Sequence, residues 1–183
     1  MWATVLLTLM ASEEAAPSGL ESGLAVQGDL LMPLNGGYGG KKDLGFGGAI
    51  SYWFQWPHAV FAPQAALHYG PGAQGERFIQ LSGALGVSIL PLEGPITPMI
   101  GGNVGLRFLS VRGVTDAKEV GSVLRTQIAV TPSLTTFGPA VSGRLGVLMF
   151  RGSPVELTIF GEYSAMFVDG TPQALTISVG LST

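Results

Sequence analysis

The feature that most constrains this chain is an almost unbroken alternation of residue types between Ile79 and Ile89. Successive side chains of a β-strand point to opposite faces. One face of this segment carries large apolar residues and one glycine: Ile79, Leu81, Gly83, Leu85, Val87 and Ile89. The other face carries small or polar residues: Gln80, Ser82, Ala84, Gly86 and Ser88. The segment therefore predicts a strand with one apolar and one small, polar face.

The same pattern recurs along the chain and predicts a barrel. Further strands are predicted over 23–34, 44–54, 60–69, 98–109, 123–131, 140–150, 155–167 and 174–181. These make nine, whereas single-chain membrane barrels have an even number of strands. The strand assignment is weakest between Thr131 and Pro139, because Pro132 has no backbone N–H to donate to a hydrogen-bonded ladder. We predict an all-β, antiparallel, up-and-down transmembrane β-barrel with eight strands, or alternatively ten.

Composition indicates which face of the barrel points outward. Charged residues make up 11% of the chain, against about 25% in ordinary soluble domains. In a soluble carrier such as a lipocalin, the polar face meets water and the apolar face lines a cavity. An outer-membrane barrel has the reverse arrangement. Because the polar face here is mostly Gly, Ala and Ser, it suits a narrow lumen better than a water-facing surface.

The positions of the charged residues within the predicted strands agree with this orientation. All six that fall within predicted strands lie on the polar face: Asp29, Arg107, Arg125, Arg144, Glu156 and Glu162. A charge on the lipid face costs about 2–4 kcal/mol near the bilayer midplane. Unpaired charges are also expensive in a lumen of low dielectric. We therefore expect a paired charge network that fills the lumen, although these residues could simply follow the alternation.

Aromatic residues cluster near the ends of the predicted strands and at the turn that contains Pro57. Membrane barrels carry such girdles at both interfaces, although aromatics are favoured in any strand. The predicted girdle comprises Tyr52, Trp53, Trp56, Phe61, Tyr69, Phe108, Phe150 and Phe167.

From about Gly23 to Thr183, the alternation, girdles and lumen charges resemble the small outer-membrane β-barrels of the OmpA and OmpX type. The resemblance implies a bacterial outer-membrane protein whose partner is the lipid bilayer. The chain departs from that family at its last residue, since those barrels usually end in an aromatic residue and this chain ends in Thr183.

The beginning of the chain has a different character. Residues 2–11 form a continuous apolar run that is too short for a membrane-spanning helix, which needs about 20 residues. The run matches the apolar part of an export signal, although a basic segment before it and a clear cleavage site after it are missing. We assign 1–18 to a signal peptide and leader, and 19–183 to one barrel domain. An apolar tail is the other interpretation.

Few residues could support catalysis or cofactor binding. The chain has no cysteine and no clustered metal ligands, so no metal or other cofactor is expected. His58 lies in a predicted turn. His68 lies on the polar face, where a lumen hydrogen-bonding role is favoured over a Ser–His–acid site with Glu162. Enzymatic activity is therefore not expected, and a lipid-modifying enzyme acting through His68 is a minor alternative.

Partners are predicted only by class. A net charge of −3 with scattered basic residues argues against nucleic acid. Lys41 and Lys42 are candidates for contact with lipopolysaccharide phosphates, or form a solvated loop tip. The long, charged segment 110–122 is the best candidate for a binding loop. The sequence favours a monomeric outer-membrane barrel with a structural or interaction role. A soluble carrier of an apolar ligand and a small pore are the alternatives.

Overall fold

The computed structural model describes residues 19–34, 44–71, 77–112 and 134–183. The described residues form eight strands and include no helix that could cross a membrane. The strands are β1 (Glu21–Pro33), β2 (Gly45–Trp56), β3 (Ala59–Pro71), β4 (Arg77–Ile89), β5 (Ile96–Arg112), β6 (Leu134–Met149), β7 (Glu156–Met166) and β8 (Gln173–Ser182).

The eight strands close into one antiparallel barrel. Each strand pairs with the next in sequence, and β1 pairs with β8. This confirms the predicted class and the lower of the two strand numbers. The strand prediction is weakest between Thr131 and Pro139. In the structure, Thr135 to Gly138 of this segment belong to β6 and pair with β5. The predicted strand over 123–131 lies outside the described residues, and the barrel closes on the other eight.

The two ends of the barrel differ in their connections. Short turns over 57–58, 90–95 and 150–155 lie at one end, which we call the turn end. Connections over 34–44, 72–76, 113–133 and 167–172 join strands at the other, which we call the loop end. The two longest connections, over 34–44 and 113–133, thus share the loop end.

Within the barrel the inward side chains form three layers. The loop-end layer is an apolar cluster of Leu31, Phe78, Leu109, Val111 and Ala174. The turn-end layer is a second apolar cluster of Leu90, Met99, Leu148 and Phe160, with Val60 packed against it. Between them lies a polar middle layer of Asp29, Gln64, His68, Gln80, Asn103, Arg107, Arg144, Glu162 and Ser164. The inner face is thus polar at mid-height and apolar towards the loop end, whereas at the turn end the apolar cluster lies beside buried polar residues such as Gln55 and Glu156.

Glycine makes room for the loop-end layer. The Phe78 side chain is only 2% exposed, and its ring lies against Gly70 on the neighbouring strand β3. A Cβ atom at Gly70 would overlap the Phe78 ring, and one at Gly45 would also approach it too closely. Any larger residue at Gly70 would therefore displace the ring that covers the lumen.

Candidate functional site

The outer wall of the barrel is apolar on every strand. One mid-strand residue from each of the eight illustrates this, with exposed fractions between 41% and 64%: Val26, Ile50, Leu67, Leu85, Val104, Leu145, Ile159 and Ile177. The charged residues of the described strands either point into the barrel or lie at a strand end. Monomeric soluble proteins rarely expose a continuous apolar surface of this kind.

His68 belongs to a buried hydrogen-bonded trio in the middle layer. Its Nε2 donates to Asp29 Oδ2 over 3.0 Å, and Gln80 Nε2 donates to its Nδ1 over 3.3 Å. The side chains come from β1, β3 and β4, and His68 and Asp29 are 5% and 8% exposed. Because both ring nitrogens are engaged, His68 has no ring nitrogen left to act as a base in this arrangement.

Arg144 and Glu162 form an ion pair across the β6–β7 ladder. They are direct cross-strand neighbours, and Arg144 Nη2 lies 3.2 Å from Glu162 Oε2. The same carboxylate oxygen accepts a 2.8 Å hydrogen bond from Asn103 Nδ2, and Arg144 Nη2 also donates to Gln64 Oε1 over 3.1 Å. The guanidinium lies over the Phe160 ring, with Cζ 4.9 Å from the ring centroid. This cluster links the polar middle layer to the turn-end layer.

Arg107 lies in the same layer without a carboxylate partner among the described residues. Its Nη1 donates to Ser164 Oγ over 3.1 Å, and that hydroxyl donates in turn to the Ala174 carbonyl. The side chain is 7% exposed, and its Nε has no hydrogen-bond partner among the residues that the structure describes. Within that part of the chain, Arg107 is a buried cation whose guanidinium donates to a hydroxyl group.

Glu156 lies at the turn end, away from the other predicted lumen charges. Its Oε1 accepts a 2.9 Å hydrogen bond from the Gly152 amide and a 3.4 Å hydrogen bond from Gln55 Nε2. Of the predicted charges in the described residues, only Arg144 and Glu162 form an ion pair with each other. Asp29 contacts His68, and Arg107 contacts Ser164. Arg125 lies outside the described residues.

Arg151 was not predicted from the sequence. Its hydrogen bonds connect the three short turns at the turn end. It lies in the β6–β7 turn and is 3% exposed. Its Nη2 donates to the carbonyls of Trp56 and Pro57 over 3.2 and 2.5 Å, and its Nη1 to that of Leu92 over 3.5 Å. A charged residue in a turn is normally solvated, so no sequence signal marked this one as a buried clamp.

The described part of the barrel contains small cavities in its middle layer and towards its turn end. The one in the middle layer has a volume of about 40 Å³ and is lined by His68, Arg107 and Glu162, among others. That volume holds only a few water molecules. The second, towards the turn end, is about 60 Å³ and is lined mainly by apolar groups that include Trp53 and Leu148. Neither cavity has room for a bulky ligand of the kind that a lipocalin-type carrier holds.

The predicted girdle residues divide between the two ends of the barrel. Tyr69, Phe108 and Phe167 lie towards the loop end, and Tyr52, Trp56, Phe61 and Phe150 towards the turn end. Their assignment to membrane interfaces stays a prediction.

Trp53 requires a correction, because it points into the barrel. It is 8% exposed and lines the turn-end cavity, and its Nε1 has no hydrogen-bond partner in the described part of the chain. The reason is the strand alternation itself: Tyr52 points outward with 47% of its side chain exposed, so the next residue must point inward.

The remaining candidates give little further chemistry. His58 Nε2 lies 3.3 Å from Glu93 Oε1 at the exposed turn end. The described residues contain no group of three or more potential metal ligands. Lys41, Lys42 and residues 113–122 of the predicted binding loop lie outside the described residues.

Comparison with solved structures identifies the fold. The structure of Neisserial surface protein A matches with a TM-score of 0.67 and 16% identity, over 91% of this chain and 99% of that one. This chain has the OmpA/OmpX type of barrel fold. Ail, the attachment invasion locus protein of Yersinia pestis, matches with a TM-score of 0.58 and 13% identity, over 91% and 98% of the two chains. Ail has also been solved with the heparin analogue sucrose octasulfate. No protein-family model and no curated protein matches the sequence.

Proposed function

We propose that this chain is a bacterial outer-membrane protein with a structural or interaction role, and that its barrel is filled and does not conduct. The observation that carries the proposal is the apolar outer wall on all eight strands of a closed barrel. A closed barrel satisfies every backbone group of its ladders, which a bilayer requires. Similarity of fold to a surface protein and to an attachment protein supports a role at the cell surface.

The alternatives fit the geometry less well. A soluble carrier needs an apolar interior and a hydrated exterior, whereas this barrel has large apolar residues outside and its charges inside. A pore needs a continuous water path, but the apolar loop-end layer covers the lumen on one side of the polar middle layer, and the apolar cluster of the turn end fills part of it on the other. For a lipid-modifying enzyme, both nitrogens of the His68 ring are already engaged. The proposal therefore includes the absence of enzymatic activity.

Folding in detergent provides the first test. The purified chain should need detergent for solubility, and its gel migration should change on boiling, because a closed barrel stays compact until it is heated. A monodisperse protein that is soluble without detergent would contradict the proposal and favour the carrier.

Conductance and lipid turnover test the remaining parts. In planar bilayers the inserted wild-type barrel should show no channel events, whereas regular openings would establish the small pore. Turnover of phospholipid or lipid A that His68→Ala abolishes would establish the enzyme.

The export signal, the oligomeric state and the lipid partner belong to the same proposal. We assign residues 1–18 to a leader that is removed during export, which N-terminal sequencing of the protein from outer membranes would test. The barrel should be a monomer in detergent, as measured by light scattering. Lipopolysaccharide is the proposed lipid partner, in contact with the loop end of the barrel.

A further inference from the structure

Two arginines face each other on the outer wall at the loop end. Arg77 begins β4 and Arg112 ends β5, and they are direct partners in the ladder. Both side chains are exposed and lie on the outward face, two residues along their strands from Ile79 and Ser110. Side chains at directly opposite positions have Cβ atoms about 4.5–5.5 Å apart. The two guanidinium groups can therefore reach the same ligand.

This pairing is unfavourable unless something compensates for it. Like charges at directly opposite positions destabilise a sheet. Within the described residues, no carboxylate lies within ion-pair distance of Arg77 or Arg112. Two adjacent cations with no carboxylate partner in the described part of the chain form a site that favours an anion.

The height of the pair on the barrel indicates where that anion would lie. The next outward residues towards mid-barrel are Ile79 and Ser110, followed by Leu81 and Phe108, which belong to the apolar wall. Tyr69 of β3 pairs with Ile79. Arg77 lies two residues beyond Ile79, which is about 7 Å along the strand and about 5 Å along the barrel axis for a strand tilt of about 35–45°. In a bilayer, this height falls among the headgroups of the leaflet at the loop end.

We propose that Arg77 and Arg112 form a phosphate clamp that binds the phosphorylated headgroup of lipopolysaccharide in the outer leaflet. The inference rests on the proposed outer-membrane location and adds a defined lipid site to it. Arginine suits this role because its planar guanidinium donates two parallel hydrogen bonds to a phosphate group. Two such groups on neighbouring strands would bind one phosphate from two sides, or two phosphates of one headgroup.

The test uses the full chain, folded in detergent and then placed in phospholipid nanodiscs. Three probes are titrated: lipopolysaccharide with its phosphates, the same glycolipid after enzymatic dephosphorylation, and inorganic phosphate. The test variant is Arg77→Gln/Arg112→Gln. The control is His58→Gln, which removes an exposed basic side chain from the turn end, away from the two arginines. A third variant, Arg77→Lys/Arg112→Lys, keeps the positive charge but removes the planar guanidinium group that donates two parallel hydrogen bonds.

We expect the wild type and the control to bind phosphorylated lipopolysaccharide equally well. The glutamine variant should bind it about tenfold more weakly, as expected from the loss of charge-assisted hydrogen bonds. The lysine variant should fall between the two. Dephosphorylated glycolipid should bind the wild type as weakly as the glutamine variant binds the intact lipid.

Other outcomes would overturn the clamp. Equal binding by the wild type and the glutamine variant would exclude these arginines. Equal loss in the His58→Gln control would show a non-specific effect in place of a site. Binding of inorganic phosphate as tight as that of the lipid would assign the site to a free anion. Failure of the wild type to fold in detergent or enter nanodiscs would contradict the outer-membrane proposal itself, so the two failures are distinguishable.

Discussion

The middle of the lumen and its loop end fill the same kind of space with opposite chemistry. In the middle layer, Asp29, His68, Arg144 and Glu162 point inward and contact one another or neutral polar groups. In the loop-end layer, buried side chains such as Leu31 and Phe78 fill the space with apolar atoms. All occupy inward positions of the same strands, so the inner face of this barrel is not uniformly polar.

The difference shows how the lumen is closed. The loop-end layer excludes water from the lumen on one side, and exclusion of water lowers the effective dielectric around the polar groups. Each polar contact in the middle layer is then stronger, and each unpartnered polar atom there is more costly. The loop-end layer and the middle layer are therefore coupled, because the apolar layer favours polar groups that are paired with one another.

The largest expected effect comes from breaking the ion pair on one side. Glu162→Leu leaves Arg144 buried without a carboxylate, and Arg144→Met leaves Glu162 without a cation. Loss of one partner from a buried pair costs about 3–5 kcal/mol. We expect that loss in the free energy of unfolding for each variant, measured by urea titration in lipid vesicles.

The double variant Arg144→Met/Glu162→Leu sharpens this test. It removes both charges, so only Asn103 and Gln64 lose a partner, at a cost of about 1–3 kcal/mol. It should therefore be more stable than either single variant. A double variant as unstable as the sum of the singles would show that the two residues do not depend on each other.

The loop-end layer should respond next. Phe78→Ala removes a ring that is 2% exposed and leaves a cavity between Leu31 and Leu109. We expect a loss of about 3 kcal/mol in the same unfolding assay, and less than about 1.5 kcal/mol for Phe78→Leu. Phe46→Ala is the control, because Phe46 faces outward near the same end with 57% of its side chain exposed. Equal losses for Phe78→Ala and Phe46→Ala would mean that Phe78 does not close the lumen.

Much of this architecture could be predicted from the alternation of residue types. That alternation depends only on strand geometry, and it assigned Leu85 and Val104 to the outside and Arg107 and Arg144 to the inside. It also places Trp53 inward, but the closeness of Trp53 to a turn led to a girdle assignment. At that position, local strand geometry decided the outcome.

The layers and the contacts within them could not be predicted in this way. His68 and Asp29 lie 39 residues apart on strands that do not pair with each other, so their contact crosses the lumen and depends on strand tilt and stagger. Strand tilt and stagger also determine that Leu31 and Phe78 lie in the same buried cluster. Arg151 was missed for a related reason, since its partners belong to turns that are distant in sequence.

A smaller effect is expected from the histidine trio. His68→Leu leaves Asp29 Oδ2 without its hydrogen bond and removes one contact of Gln80. A buried acceptor left without a partner costs about 1–3 kcal/mol, and we expect a loss in this range from urea titration. Asp29→Asn keeps an oxygen that can accept from His68 and should cost less. If Asp29→Asn is the more damaging change, the negative charge of Asp29 stabilises the barrel through more than this hydrogen bond.

The smallest effect is expected at Trp53, where a polar atom lies among the apolar groups of the turn end. Its buried Nε1 has no partner, so Trp53→Phe removes an unsatisfied donor while it also removes some packing against the cavity wall. Because these contributions have opposite signs, the free energy of unfolding should change by less than about 1 kcal/mol. Trp56→Phe, at a position that is 42% exposed, is the matched control and should also change little.

The fluorescence of the two variants separates the two tryptophans. Loss of Trp53 should remove emission that a collisional quencher in the lipid phase does not reach, because the ring faces the lumen. Loss of Trp56 should remove emission that such a quencher does reach. The opposite assignment would place Trp53 on the outer wall, and would show that strand alternation fails next to the β2–β3 turn. A loss of more than about 2 kcal/mol in Trp53→Phe would instead indicate that Nε1 has a hydrogen-bond partner, which would extend the polar chemistry of the middle layer into the turn end.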